Sequence, residues 1–154
     1  MATKQASRHE TIVDHIMKDH QETAEAIREL EKRVRGKRDD TLDPVFVPMK
    51  QELLGHMAAE EKLLYPPLEK TMKKQIADAK KEHDEIRKHL DDLAAGGSMS
   101  EAEWTRHLRM MKEGIEHHVR EEEGQILPAA REMFDEKKLL ELGTEFERME
   151  KEYR

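Results

Sequence analysis

Nine histidines stand in a chain of 154 residues that has no cysteine. Four of them, His20, His56, His83 and His118, fall on apolar helical stripes, one per segment. Glu60 and Glu122 follow His56 and His118 by one helical turn and share their stripes. Imidazoles and carboxylates converging without thiolates are a ligand set for iron or manganese, with zinc also possible. Burying an unpaired carboxylate is costly, and neither helix offers an inward Lys or Arg at the level of Glu60 or Glu122. A metal supplies the missing positive charge, and carboxylates from opposed helices can bridge two ions. On this reading the metal-free core holds two uncompensated glutamates whose pKa values burial raises. Replacing both by Gln should then stabilise the metal-free chain.

Phase separates the remaining histidines from this set. His15 shares its face with Asp19 and Glu22, His117 with Glu113 and Glu121, and His89 with Glu82, Glu85 and Asp92. All three are expected to face solvent. His9 lies near the start of the first helix and His107 at the margin of the fourth stripe. Met49, Met57 and Met111 at helical spacing read as core fillers. Glu52, one turn before His56, is a candidate additional donor; its counterpart in the second half is Gly114.

These side chains must be positioned by helices. Ser7-Arg8-His9-Glu10 has the form of a capping box, and a stripe of Val13, Ile16, Ala24, Ile27, Leu30 and Val34 follows before Gly36. Asp43-Pro44 reads as N-cap and first residue of a second helix carrying Met49, Leu53, Met57 and Leu64, broken at Tyr65-Pro66-Pro67. A third spans about Thr71 to Ala95, closed by Gly96-Gly97-Ser98. Ser100 to Glu103 is a second capping box, opening a fourth helix that Pro128 interrupts. Leu139, Leu140, Leu142, Phe146, Met149 and Tyr153 predict a shorter C-terminal helix on the bundle.

The two halves repeat. His56-x-x-x-Glu60-Glu61 before Leu64-Tyr65-Pro66 reappears as His118-x-x-x-Glu122-Glu123 before Ile126-Leu127-Pro128, and Asp19-His20 corresponds to Glu82-His83. A helix-pair repeat of about 62 residues predicts two pseudo-symmetric helical hairpins, packed as an all-α, up-down-up-down four-helix bundle. The chain reads as a single domain over 1–154, with a core at about 10–130 and an extension at about 131–154.

Composition narrows the partners. With 41% charged residues, 4% aromatics and a net charge of −7, the chain suits amphipathic helices with salt-rich outer faces and not nucleic-acid binding. Basic stretches at 32–38 and 73–81 are interrupted or flanked by acidic residues. No apolar run reaches membrane-spanning length and no signal-peptide core is present, so a cytoplasmic protein is expected.

At the quoted motifs the sequence resembles the hemerythrin-like proteins of the HHE cation-binding family, over about residues 10 to 145. The resemblance implies a di-iron centre, with two iron ions held by His20, His56, Glu60, His83, His118 and Glu122, that meets a small diatomic ligand or peroxide. Two departures set the chain apart from hemerythrins proper: Arg87 stands four residues after His83, and His118-x-x-x-Glu122 replaces a His-x-x-x-x-Asp. The functions implied are binding or sensing O2, NO or peroxide with or without iron storage, an enzyme turning these over, or an iron-dependent regulatory module.

Overall fold

The computed structural model describes residues 10–34 and 42–154, all helices and short connections with no strand among the described residues. Helix α1 is Ile12–Val34, and α2 is Asp43–Ala59 followed by the short α3, Tyr65–Leu68. Helix α4 is Lys73–Ala94, α5 is Glu101–Glu121, α6 is Leu127–Met133 and α7 is Glu136–Lys151. The hairpins α1–α2 and α4–α5 pack on each other as the bundle, and α7 lies against α1 and α2.

Local chemistry sets the ends. Thr11 and Asp14 cap α1 reciprocally: the Asp14 N–H donates to Thr11 Oγ1 (3.1 Å) and the Thr11 N–H to Asp14 Oδ2 (3.0 Å). Ser7, His9 and Gly36, expected at the ends of this helix, lie outside the described residues. Asp43 does not cap α2. The buried Leu42 before it is already helical and its carbonyl accepts from Val45 and Phe46, so Asp43 is an acidic first-turn residue favoured by the helix dipole. The Ser100–Glu103 capping box forms as expected.

Pro66 and Pro128 do not break their helices where expected. Each follows a five-residue π-helical turn, Glu60–Leu64 or Glu122–Ile126, and sits in the first turn of the next helix, where its missing N–H costs nothing. Tyr65 N–H donates to the Glu60 carbonyl and Leu127 N–H to that of Glu122, one residue beyond the α-helical register. Both π turns therefore begin at the two inward glutamates.

The core has two apolar halves. Ile12, Ile16, Tyr65, Leu68, Ile76, Leu127 and Phe146 are among those filling one end, and Leu30, Phe46, Met57, Leu90, Trp104 and Met111 among those filling the other. The buried histidines and glutamates form a polar layer between them. Helix α7 buries Leu139, Leu142 and Phe146. Gly143 permits its close approach to α1, because a Cβ there would stand 2.5 Å from the Glu10 carbonyl oxygen. This docking overturns one expectation: His15 is buried, stacked on Phe146 at 6.4 Å between ring centroids, and does not face solvent. The Asp19 and Glu22 face of α1 predicts exposure only while nothing lies on it.

Candidate metal centre

Six side chains from the four bundle helices and their π turns converge in the polar layer as two overlapping sets of donor atoms that could hold metal ions. One is His20, His56, Glu60 and Glu122; the other is His83, His118 and the same two glutamates. His56 Nε2 lies 3.0 Å from Glu60 Oε2, and His83 Nε2 lies 3.0 Å from Glu60 Oε1. His20 Nε2 is 3.1 Å from Glu122 Oε1, and His118 Nε2 is 3.5 Å from Glu122 Oε2. Each glutamate thus offers one oxygen to each set. The first hairpin supplies the histidines of one set and the second hairpin those of the other.

The outer nitrogen of every one of these rings meets a carboxylate on a neighbouring segment. Nδ1–H donates to Asp19 from His56 (2.9 Å), to Glu82 from His118 (2.8 Å), to Glu61 from His83 (2.6 Å) and to Glu123 from His20 (2.8 Å). Such partners fix the tautomer and leave Nε2 to face the centre. In sequence each acid is the neighbour of an inward residue: Asp19 and Glu82 precede a histidine, Glu61 and Glu123 follow a glutamate. The doublets were visible, but assigning them required knowing which helices adjoin.

Donor chemistry fits a cation at each set. With Nδ1 carrying the proton, His83 Nε2 and His118 Nε2 face each other at 3.2 Å, which is repulsive unless a proton or a metal ion intervenes. His56 Nε2 and Glu60 Oε2 are buried and make no hydrogen bond, although they stand 3.0 Å apart. Their orientation suits a shared third partner.

Without a metal, protonated imidazoles compensate Glu60, which corrects the expectation for that glutamate. Burial pushes the Glu60 carboxyl up, but the charge of the neighbouring His56 imidazole prevails and holds the group well below the usual carboxylate range. Burial likewise pushes the imidazoles down. The surrounding carboxylates prevail, raising His56 well above its ordinary value, raising His83, and pushing His118 up to about 12.

Tyr65, read from sequence only as part of a helix end, is buried with its hydroxyl in the centre. It donates to Glu122 Oε2 (2.5 Å) and Glu60 Oε1 (3.2 Å) and lies 3.3 Å from His83 Nε2. Burial and the two glutamates push its phenol pKa well above the ordinary value. Its repeat partner is Leu127, so the phenol is an asymmetric feature. Glu52 is exposed on α2 and belongs to neither donor set. His117 is exposed and pairs with the far oxygen of Glu82, at 3.3 Å. His89 and His107 are half-buried outside both sets.

Two openings reach the layer. A cleft between α1 and α5 exposes an edge of His20 beside the small Ala24. At the corresponding place by His83 the repeat has Arg87, whose guanidinium donates to Glu61 (2.9 Å). A groove of about 220 Å³ between α4 and α5 reaches His118 and Glu122.

An all-α bundle with two imidazole-and-carboxylate donor sets in one polar layer defines a class of helical cation-binding domains. The chain belongs to the hemerythrin family: the model of the hemerythrin HHE cation binding domain matches residues 7–130. Comparison with curated proteins and with solved structures gives no significant match. No helix of the described residues is long and apolar enough to cross a membrane.

Proposed function

We propose that the chain binds two iron ions, one at His20 and His56 and one at His83 and His118, with Glu60 and Glu122 shared between them. The observation that carries this reading is that each glutamate turns one oxygen to each histidine pair. Iron held by these residues would supply the chemistry for binding O2, NO or peroxide. The protein's own part is to aim four Nε2 atoms, to keep the layer between two apolar halves, and to admit small molecules beside His20 and His118. The described residues act as one unit, because α7 buries its apolar face on the first hairpin.

Elemental analysis after anaerobic Fe(II) loading should find about two irons per chain. Well under one removes the reading. His118→Ala should lose metal and His117→Ala should retain it, because His117 points outward.

Tyr65 favours an enzyme as the second reading. It keeps a proton at the centre, and reduction of peroxide or O2 consumes protons. Steady reduction of hydrogen peroxide by an added electron donor, slowed at least tenfold in Tyr65→Phe with two irons retained, is the expected result for an enzyme. Binding without turnover supports carriage or sensing.

A further inference from the structure

The repeat makes two seams of the bundle equivalent, one between α1 and α5 and one between α4 and α2, yet they are built differently. The second is bridged. Met57 is buried in it, Arg87 donates to Glu61 (2.9 Å), and Lys50 Nζ stands 3.8 Å from Asp91 Oδ1. In the first seam the smaller Val119 and Ala24 replace Met57 and Arg87, and Arg28 and Arg120 replace Asp91 and Ala58. Glu116, in place of Leu54, runs the other way.

These exchanges leave a cleft of about 430 Å³ along the first seam, with His20 among its walls. The buried Ile27 and Ile115 and the half-buried Val119 give it an apolar floor. Arg28, Lys112 and Arg120 line it against one acid, Glu116. Glu31 engages Lys112 at 3.2 Å. Arg28 and Arg120 have no ion-pair or hydrogen-bond partner among the described residues. A neutral diatomic molecule or peroxide needs neither this charge nor this room. Clefts of roughly 300–1,000 Å³ suit organic molecules.

We propose that the α1–α5 cleft binds a small organic carboxylate, its hydrocarbon body on Ile27, Ile115 and Val119 and its charge met by Arg28 and Arg120. The floor gains by taking hydrocarbon out of water, and a guanidinium fork matches a carboxylate. The inference goes beyond the two-metal reading and does not depend on it.

Methyl NMR of the full-length, metal-free chain titrated with benzoate tests it, because a carboxylate then has no metal to ligate. The methyl signals of Ile27, Ile115 and Val119 should shift saturably while those of Leu53, Met57 and Leu90, in the second seam, stay. The dissociation constant should be on the order of 1 mM. Benzamide has the same shape without the charge, and sulfate has charge without the hydrocarbon body. Each should bind at least about tenfold more weakly. Arg28→Ala with Arg120→Ala should weaken benzoate by a similar factor, and Ala24→Leu with Val119→Met, which fills the floor, should abolish its binding. Arg28, Arg120 and Ala24 are exposed, so both double variants should keep the wild-type melting temperature.

Equal binding of benzamide overturns the role of the cations, and equal binding of sulfate overturns the organic ligand. Benzoate binding that survives either double variant, or shifts spread over both seams, overturns the site. Failure to saturate by about 10 mM benzoate overturns it as well. None of these results touches the two-metal reading, which the iron analysis decides separately.

Discussion

Glu60→Gln should lower the stability of the metal-free protein near pH 7 by about 3–5 kcal/mol, the cost of removing one partner from a buried ion pair. Glu60 is fully buried, 3.0 Å from both His56 Nε2 and His83 Nε2 and 3.9 Å from His118 Nε2. Burial favours its neutral form, yet the cationic imidazoles win and hold its pKa well below the usual 4.5. A carboxyl with a depressed folded pKa stabilises above its unfolded value, and that stability is lost as pH falls through the folded one. At pH 7 the contribution is therefore fully present, and a neutral amide cannot balance protonated imidazoles around it. This reverses the sign expected when the glutamates are taken as uncompensated. The change is read as a lower denaturant midpoint at unchanged slope. A Gln variant at least as stable as the wild type, both free of metal, would show that the imidazoles are neutral and the glutamate strained.

The six inward residues were legible because a helix of period 3.6 exposes its own phase, and a repeat with matching phase in both halves leaves little to chance. What phase cannot report is what lies across from a face. His15 follows two acidic neighbours outward on α1, and only the docking of α7, permitted by Gly143, makes that face interior. The carboxylates behind each imidazole were in plain view as doublets, but three-dimensional adjacency sends Asp19 to His56 and not to its chain neighbour His20. Tyr65 was hidden by its prolines. Pro66 and Pro67 argue for a helix end, whereas the π turn carries the helix on and swings the phenol inward. The layer has no inward Lys or Arg among the described residues, and histidines become its cations because carboxylates surround them.

Metal affinity should rise steeply with pH between about 6.5 and 8, roughly tenfold per pH unit for each proton displaced. In the metal-free chain His118 is pushed up to about 12, His56 lies well above 6.5 and His83 is raised, in each case because neighbouring carboxylates outweigh burial. A metal requires the Nε2 lone pair, so binding expels these protons into solvent. Calorimetric titration in buffers of different ionisation enthalpy counts them, and one to three per chain are expected. The same groups fix the sign of the stability change. A histidine with a raised folded pKa stabilises fully below its unfolded value of 6.5 and loses that stability as pH rises through the folded value, for His118 toward about 12. The metal-free protein should therefore melt progressively lower from pH 6.5 to 9, while the loaded protein, whose imidazoles are already neutral, stays nearly level. The gap between the two melting temperatures should widen with pH. Equal slopes for both forms, together with binding that releases no protons, would mean that the layer holds neutral imidazoles. The carboxylates behind them would then act by orientation alone.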